Sequence, residues 1–290
     1  MPPLARLRAS VGGIGALLAL SGVRSASAQE WITLANRKVA IWKPSATTRA
    51  PLVVFSHGFG GCAAQSRFLT EALAERGYFV VAPDHRDARC GSHGERLRPE
   101  EPFAAPAKWT DATYADRRDD IIAIVSALRA TPALAYRIDF SRIGLVGHSL
   151  GGYTVLGLSG AWPSWKLENV RAVLALSPVV QPYLVHQTLA GLRVPVMYQG
   201  GTADLGITPW IVKKGGAYDA SPAPRYFVEL TRASHFAWTN LNPVAHDVIL
   251  GYALPFLDRY LRDVNVGMQL TVQHAGIAQL RFDTMAVARQ

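Results

Sequence analysis

The chain predicts an α/β fold, a mostly parallel central sheet with helices on both faces. Three observations carry this reading. From about Trp31 to Tyr260, short runs rich in β-branched residues alternate with longer helical patterns. Most of the short runs are apolar on both faces, as a sheet covered by helices on two sides requires. Right-handed crossovers join such units with little ambiguity of topology. The 290 residues, 49% hydrophobic and 18% charged, suffice for one sizeable core and not for two large ones.

The first 28 residues stand apart from that fold. Arg6 and Arg8 precede the apolar run "VGGIGALLAL", Val11 to Leu20, and "SASAQ" then offers Ala26 and Ala28 in the small-x-small spacing that signal peptidase cleaves. The run is about half of the roughly 20 residues that span a bilayer. The expectation is an export signal cleaved near Ala28, a periplasmic or secreted product, and no transmembrane anchor in the mature chain. A buried N-terminal helix, the alternative, leaves the order of charged, apolar and small residues unexplained. No cysteine near the cleavage point suggests a lipoprotein, and no adjacent arginine pair suggests twin-arginine export.

Six segments read as strands: "PLVVFSH" (51–57), "YFVVAPDH" (78–85), "RIGLVGH" (142–148), "VRAVLALSP" (170–178), "RVPVMYQGG" (193–201) and "RYFVEL" (225–230). Between or after them, "AAQSRFLTEALAERG", "YADRRDDIIAIVSALRA", "SLGGYTVLGLSG" and "PVAHDVILGYALPFLDRYLRD" read as helices. In the second of these, Ile121, Ile122, Val125 and Leu128 recur at helical spacing; Gly77 ends the first. Residues 86–112 form a polar, proline-bearing loop that shapes a cleft rim. The expected organisation is signal peptide 1–28, catalytic domain 29–262 and a tail, 263–290, with some alternation at 269–273 and no assigned role.

The most specific signal is Gly147-His148-Ser149-Leu150-Gly151. It matches G-x-S-x-G, follows an apolar strand and opens a helix, which is the context that motif needs. The glycines allow a strained turn that lifts the Ser149 hydroxyl above the sheet, at a helix N-terminus where the N–H of Leu150 favours negative charge. A serine hydroxyl needs a base, and that base an orienting acid, in the order Ser, acid, His. Asp204 follows "MYQGG" and His235 follows "FVEL", both at the strand edge that carries Ser149. The expected roles are nucleophile for Ser149, base and acid for His235, and orienting carboxylate for Asp204. His57, His85, His148, His186 and His246 fall in strand ends, motif slots, connections or a helix and read as structural. Asp219 lies too far beyond its strand to compete.

Tetrahedral intermediates also need a second backbone donor from a loop after an earlier strand. "SHGFGG" supplies it: the glycines let the chain turn, the N–H of Phe59 is the expected donor, and His57 fixes the loop. Cys62 and Cys90 both follow strands, so the expectation in an exported protein is a Cys62–Cys90 disulfide, with two unpaired thiols as the alternative. His148, Trp109 and Trp238 are candidate cleft residues; the two tryptophans equally suit packing. The cluster Asp84, His85, Asp87, Cys90, His93 and Glu95 lacks a recognised zinc spacing, so no metal and no cofactor is expected.

Net charge is +9; removing the leader, which holds three of the 30 Lys and Arg and none of the 21 Asp and Glu, leaves +6. The cations are scattered, which argues against nucleic acid as a partner and supports only weak attraction to anionic surfaces.

Over nearly all of its mature length the chain resembles the α/β-hydrolase superfamily. "FSHGFGG", "ALAERGYFVVAPDHRDA", "GHSLGG" and "ASHFAW" look like the group of platelet-activating factor acetylhydrolases, dienelactone-hydrolase-like proteins and bacterial cutinase-like polyester hydrolases. "SHGxGG" and "DHRD" are most similar to the acetylhydrolase side, and "VELTRASHFA" to the cutinase side. Ser149 departs from dienelactone hydrolases, which use cysteine; "VVQPY" (179–183) departs from the tryptophan typical of cutinases at that place. The resemblance implies an α/β-hydrolase fold. Only residues 179–192 stand where many relatives insert a helical cap, so no large cap domain is expected. The function expected is an exported, monomeric serine ester hydrolase acting on lipid-like or short-chain esters. The alternatives are a polyester hydrolase and an inactive binding protein of the same fold.

Overall fold

The computed structural model describes residues 28–90 and 95–284; the expected leader and His93 lie outside them. The strands are β1 (Gln29–Leu34), β2 (Arg37–Trp42), β3 (Ala50–Ser56), β4 (Phe79–Pro83), β5 (Ile138–His148), β6 (Val170–Leu176), β7 (Val196–Gly201), β8 (Arg225–Leu230) and β9 (Ile277–Asp283). The helices are α1 (Arg67–Glu75), α2 (Ala115–Ala130), α3 (Pro132–Ala135), α4 (Leu150–Leu156), α5 (Gln181–His186), α6 (Thr208–Val212), α7 (Ala217–Ala220) and α8 (His246–Leu261).

All nine strands form one sheet, in the order β1-β2-β4-β3-β5-β6-β7-β8-β9. From β4 to β8 every neighbouring pair is parallel. Antiparallel strands close the two ends, β2 against β4 and β9 against β8. The six strands read from the sequence are the six parallel ones. Side-chain alternation sends Leu52, Val54 and Leu145 into one apolar core, and Val53, Phe55 and Val146 into the other. Helices α2, α4 and α5 cover the first face; α1 and α8 cover the second.

Three expectations change. The buried stripe of α2 is Ile121, Ile124, Val125 and Leu128, while Ile122 faces outward at 38% exposure. A hairpin precedes the predicted strands: β1 and β2 pair through a turn in which Ala35 and Asn36 both have positive φ, the geometry of a two-residue hairpin loop. The tail is also part of the domain. Residues 269–273 lie in turns, but Val266, Leu270 and Ile277 are buried, and β9 pairs with β8. Gly77 does end α1, at φ +102°, with the N–H of Tyr78 donating to the carbonyl of Leu73.

Truncation after Arg262 should be strongly destabilising, because it removes one of the two strands paired with β8 and three buried apolar side chains worth roughly 1.5–3 kcal/mol each. At about 2–4 °C per kcal/mol in a chain of this size, Tm should fall by roughly 10 °C or more. Thermal unfolding with size-exclusion chromatography measures this, and an unchanged Tm would mean that the tail is dispensable.

Candidate active site

The parallel strands all end on one edge, and the candidate residues gather there. β5 runs into the turn at Ser149, which has φ 55° and ψ −116°. The turn fits because its flanking residues lack side chains. A Cβ on Gly147 would lie 2.2 Å from the carbonyl oxygen of Gly151, and one on Gly151 would lie 1.9 Å from that of Ser56. β3 and β5 therefore bring the "SHGFGG" loop against the start of α4, with Ser56 registered on Gly147.

His235, from the loop after β8, places Nε2 2.9 Å from Ser149 Oγ. Its Nδ1 lies 3.3 Å from Oδ1 of Asp204, which follows β7. The structure thus brings together the serine, histidine and aspartate read from the sequence. Asp204 is 4% exposed and accepts from Thr208 Oγ1.

A fourth side chain completes the group, and sequence reasoning missed it. Ser177, just beyond β6 at φ 43°, donates Oγ–H to Asp204 Oδ2 and places Oγ 2.8 Å from His235 Nδ1. It sits in the "ALSP" segment, which carries no catalytic motif. Ser177 thus bridges His235 and Asp204, standing within hydrogen-bond distance of both.

The "SHGFGG" loop is held by hydrogen bonds from its glycine N–H groups. The N–H of Gly58 donates to Gln65 Oε1, that of Gly60 to Asp87 Oδ2 and that of Gly61 to the carbonyl of Gly58. Among the described residues no partner is found for the N–H of Phe59, nor for that of Leu150 in the first turn of α4. His57 holds the loop, with Nδ1 2.7 Å from the carbonyl of Gly58 and Nε2 accepting the N–H of His85 at 3.0 Å. Cys62 and Cys90 form the disulfide, with Cα atoms 5.6 Å apart, tying this loop to the 86–112 segment.

A second Ser-His-Asp relay lies beneath the first. Ser56 Oγ is 3.0 Å from His85 Nε2, and His85 Nδ1 is 2.9 Å from Asp120 Oδ2. Access separates the two: Ser56 is fully buried and His85 is 2% exposed, whereas Ser149 and His235 are half-buried and line a cleft. Ser56 is sealed from solvent and lines neither cleft cavity.

Two cavities of about 620 and 560 Å³ meet at Ser149, His235 and Phe59. Phe103, Val179, Gln181 and Trp210 line the first; the disulfide, Gln65, Phe236 and Leu241 line the second. The 86–112 loop therefore does form a cleft wall, through Phe103, Ala104 and Pro106. Residues 179–192 hold only α5 and a short turn at Leu189–Gly191, so among the described residues no cap domain stands over the cleft.

Trp109 and Trp238 do not line it. Both are fully buried: Trp109 packs among Phe103, Tyr114 and Tyr153, and Trp238 donates to Gln199 Oε1. A different tryptophan, Trp210, 39% exposed, lines the cleft from α6, a position that carries no motif. His148 edges the second cavity but is 2% exposed; its Nε2 lies 2.8 Å from the carbonyl of His235 and its Nδ1 3.0 Å from Gln65 Nε2. Asp219, the rival acid, pairs with Arg281 of β9. Among the described residues no group of three or more His, Cys, Asp or Glu is placed to hold a metal ion.

Comparison with known proteins fits this geometry. Residues 53–280 match the model of the alpha/beta hydrolase family. The chain belongs to that family. The hydrolase is 25% identical to Cutinase 2 of Thermobifida cellulosilytica, over 76% of its own length and 72% of the relative's. It is equally identical to Cutinase cut1 of Thermobifida fusca, of which it spans 59%. It is 26% identical to a bis(hydroxyethyl) terephthalate hydrolase of Streptomyces coelicolor, over 51% of this chain and 44% of that one. By family, relatives and site chemistry, the protein is a serine ester hydrolase.

Burial keeps the histidines around the site neutral. Desolvation, aided by neighbouring His235, lowers the His148 pKa to about 3; burial, aided by Arg117, also lowers those of His57 and His85. An unfolded histidine titrates at about 6.5, so between these values the unfolded chain binds more protons. Stability from this source is complete above about pH 6.5 and is lost as pH falls toward 3. Tm should therefore drop on acidification through that window, and His148→Gln should flatten part of the slope; equal slopes in calorimetric scans would exclude His148 as a contributor. Ser177→Ala should lower kcat about 10- to 100-fold, the weight of a hydrogen bond to a charged group, with KM little changed. Steady-state kinetics with unaltered turnover would leave Ser177 without a role in orienting His235.

Proposed function

We propose that the protein is an exported serine carboxylic-ester hydrolase that forms an acyl-enzyme on Ser149. The observation that carries this reading is the 2.9 Å approach of His235 Nε2 to a Ser149 hydroxyl standing on a strained turn, with the N–H groups of Phe59 and Leu150 beside it and without a partner among the described residues. His235 takes the Ser149 proton as Oγ attacks the ester carbonyl, and Asp204 holds the imidazole and stabilises the imidazolium. The N–H groups of Phe59 and Leu150 receive the oxyanion. His235 then returns the proton to the leaving alcohol, and water repeats the sequence on the acyl-enzyme.

The substrate class follows from cleft shape. Two largely apolar cavities meet at the nucleophile without a cap, which suits an ester with apolar groups on both sides of the carbonyl. We read this as a lipid-like or short-chain ester substrate. A second reading, cleavage of polyesters, is favoured by the cutinase relatives and by Trp210, Phe236 and Leu241, which stand exposed around the cleft. Export rests on the leader pattern of residues 1–28 and on the oxidised Cys62–Cys90 pair.

A fluorophosphonate probe should label the wild type and not Ser149→Ala; labelling that persists would remove Ser149 as nucleophile. Asp204→Asn should reduce kcat by about 10⁴, as loss of the orienting acid does in triads. p-Nitrophenyl esters of increasing chain length, run beside a polyester film, separate the two substrate readings: release of soluble product from the film favours the second, and activity confined to the soluble esters favours the first.

A further inference from the structure

Outside the triad, the most fully connected polar group is the ion pair of Arg117, on α2, with Asp87, just after β4. Both side chains are fully buried. Arg117 Nη2 lies 2.8 and 2.9 Å from the two oxygens of Asp87, and Nε lies 3.1 Å from Oδ1. The remaining contacts run to the strand end and loop beside the nucleophile. Nη1 donates to the carbonyl of His57 at 2.8 Å and to Ser56 Oγ at 3.4 Å; Nη2 donates to the carbonyl of Gly58 at 3.4 Å. Asp87 Oδ2 accepts the N–H of Gly60 at 3.2 Å.

These contacts bracket Phe59. The carbonyl of Gly58 and the N–H of Phe59 belong to one planar trans peptide, so they point in opposite directions. The Gly58 carbonyl is turned inward and held by His57 Nδ1 at 2.7 Å, by the N–H of Gly61 at 3.0 Å and by Arg117. The Phe59 N–H is thereby turned away from those partners, in a loop that lines the same cavities as Ser149. The next peptide, which carries the Gly60 N–H, is fixed by Asp87. A cation bonded to the Gly58 carbonyl also polarises that peptide, making its N–H a stronger donor.

We propose that the Arg117–Asp87 pair is a positioning device for the oxyanion hole, setting the Phe59 peptide before substrate arrives and so acting on kcat and not on KM. The inference rests on the acyl-enzyme reading above. The competing role is a simple staple of α2 to the sheet, which predicts lost stability without a specific effect on carbonyl activation.

The test compares Asp87→Asn and Arg117→Lys with wild type on a p-nitrophenyl ester and on its thiono analogue, whose sulfur is a poor acceptor in an oxyanion hole. Loss of one oxyanion donor costs about 10²–10³ in kcat. Each variant should lose about 10-fold or more in kcat on the oxygen ester, with KM within about twofold and with a smaller preference for oxygen over sulfur. A folded variant that keeps the wild-type oxygen preference would overturn the proposal, whatever its Tm. Because a buried pair can be essential to folding, amide hydrogen exchange on the wild type supplies a second measurement. The Phe59 amide should exchange fast in the free enzyme and become protected once Ser149 is phosphonylated, whereas Gly60 should be protected in both states. A Phe59 amide already protected in the free enzyme would overturn the preset orientation. Retained activity in Ser149→Ala would instead sink the acyl-enzyme reading, and so the two failures are distinguishable.

Discussion

Everything at the active edge depends on how closely three backbones approach one another. The end of β3, the end of β5 and the first turn of α4 meet with no room for a single methyl group at Gly147 or Gly151. That crowding forces Ser149 to φ 55°, a conformation non-glycine residues rarely adopt, and holds its hydroxyl clear of the sheet. The same contact carries the "SHGFGG" loop to the N-terminus of α4, so Ser149 and the N–H groups of Phe59 and Leu150 are positioned by one packing constraint. Parallel pairing of β6, β7 and β8 then delivers Ser177, Asp204 and His235 to that edge.

Burial and charge divide the work among the polar groups. His57, His85 and His148 lose their charge to desolvation and act as neutral struts that bond backbone carbonyls, amides or carboxylates. Asp87 keeps its charge despite burial because the Arg117 guanidinium beside it holds its carboxyl well below the usual range. The two Ser-His-Asp relays show that chemistry is not written in residue types alone. Ser56, His85 and Asp120 form a direct hydrogen-bonded chain, and Ser149, His235 and Asp204 a similar one bridged by Ser177, yet the first set is sealed in the protein and the second opens on a cleft.

Errors in reading the sequence have physical causes. β1 and β9 are the sheet's edge strands, where exposure breaks the apolar run that marks the central strands, while the buried stretch of β2 is only the four residues 39–42; "LANR" and its asparagine are the signal for the hairpin turn. Ile122 satisfied helical spacing but sits on the outer side of α2, since a stripe of four positions leaves the choice between adjacent isoleucines to the sheet. Tryptophans near a motif suggested a cleft, but a large ring is as well suited to a core, and Trp109 and Trp238 both went there.

The sequence by itself determined the parallel sheet, the nucleophile turn and the order of serine, acid and histidine, because each is a local demand: periodicity, glycine next to a strained residue, and chemistry carried at strand ends. Only the tertiary structure decided what depends on packing across the chain. Ser177 bridging Asp204 and His235, Arg117 and Asp87 gripping the Phe59 peptide, and Trp210 facing the cleft join residues far apart in sequence. No periodicity or motif encodes such contacts; they exist only when the sheet order brings the loops to one edge.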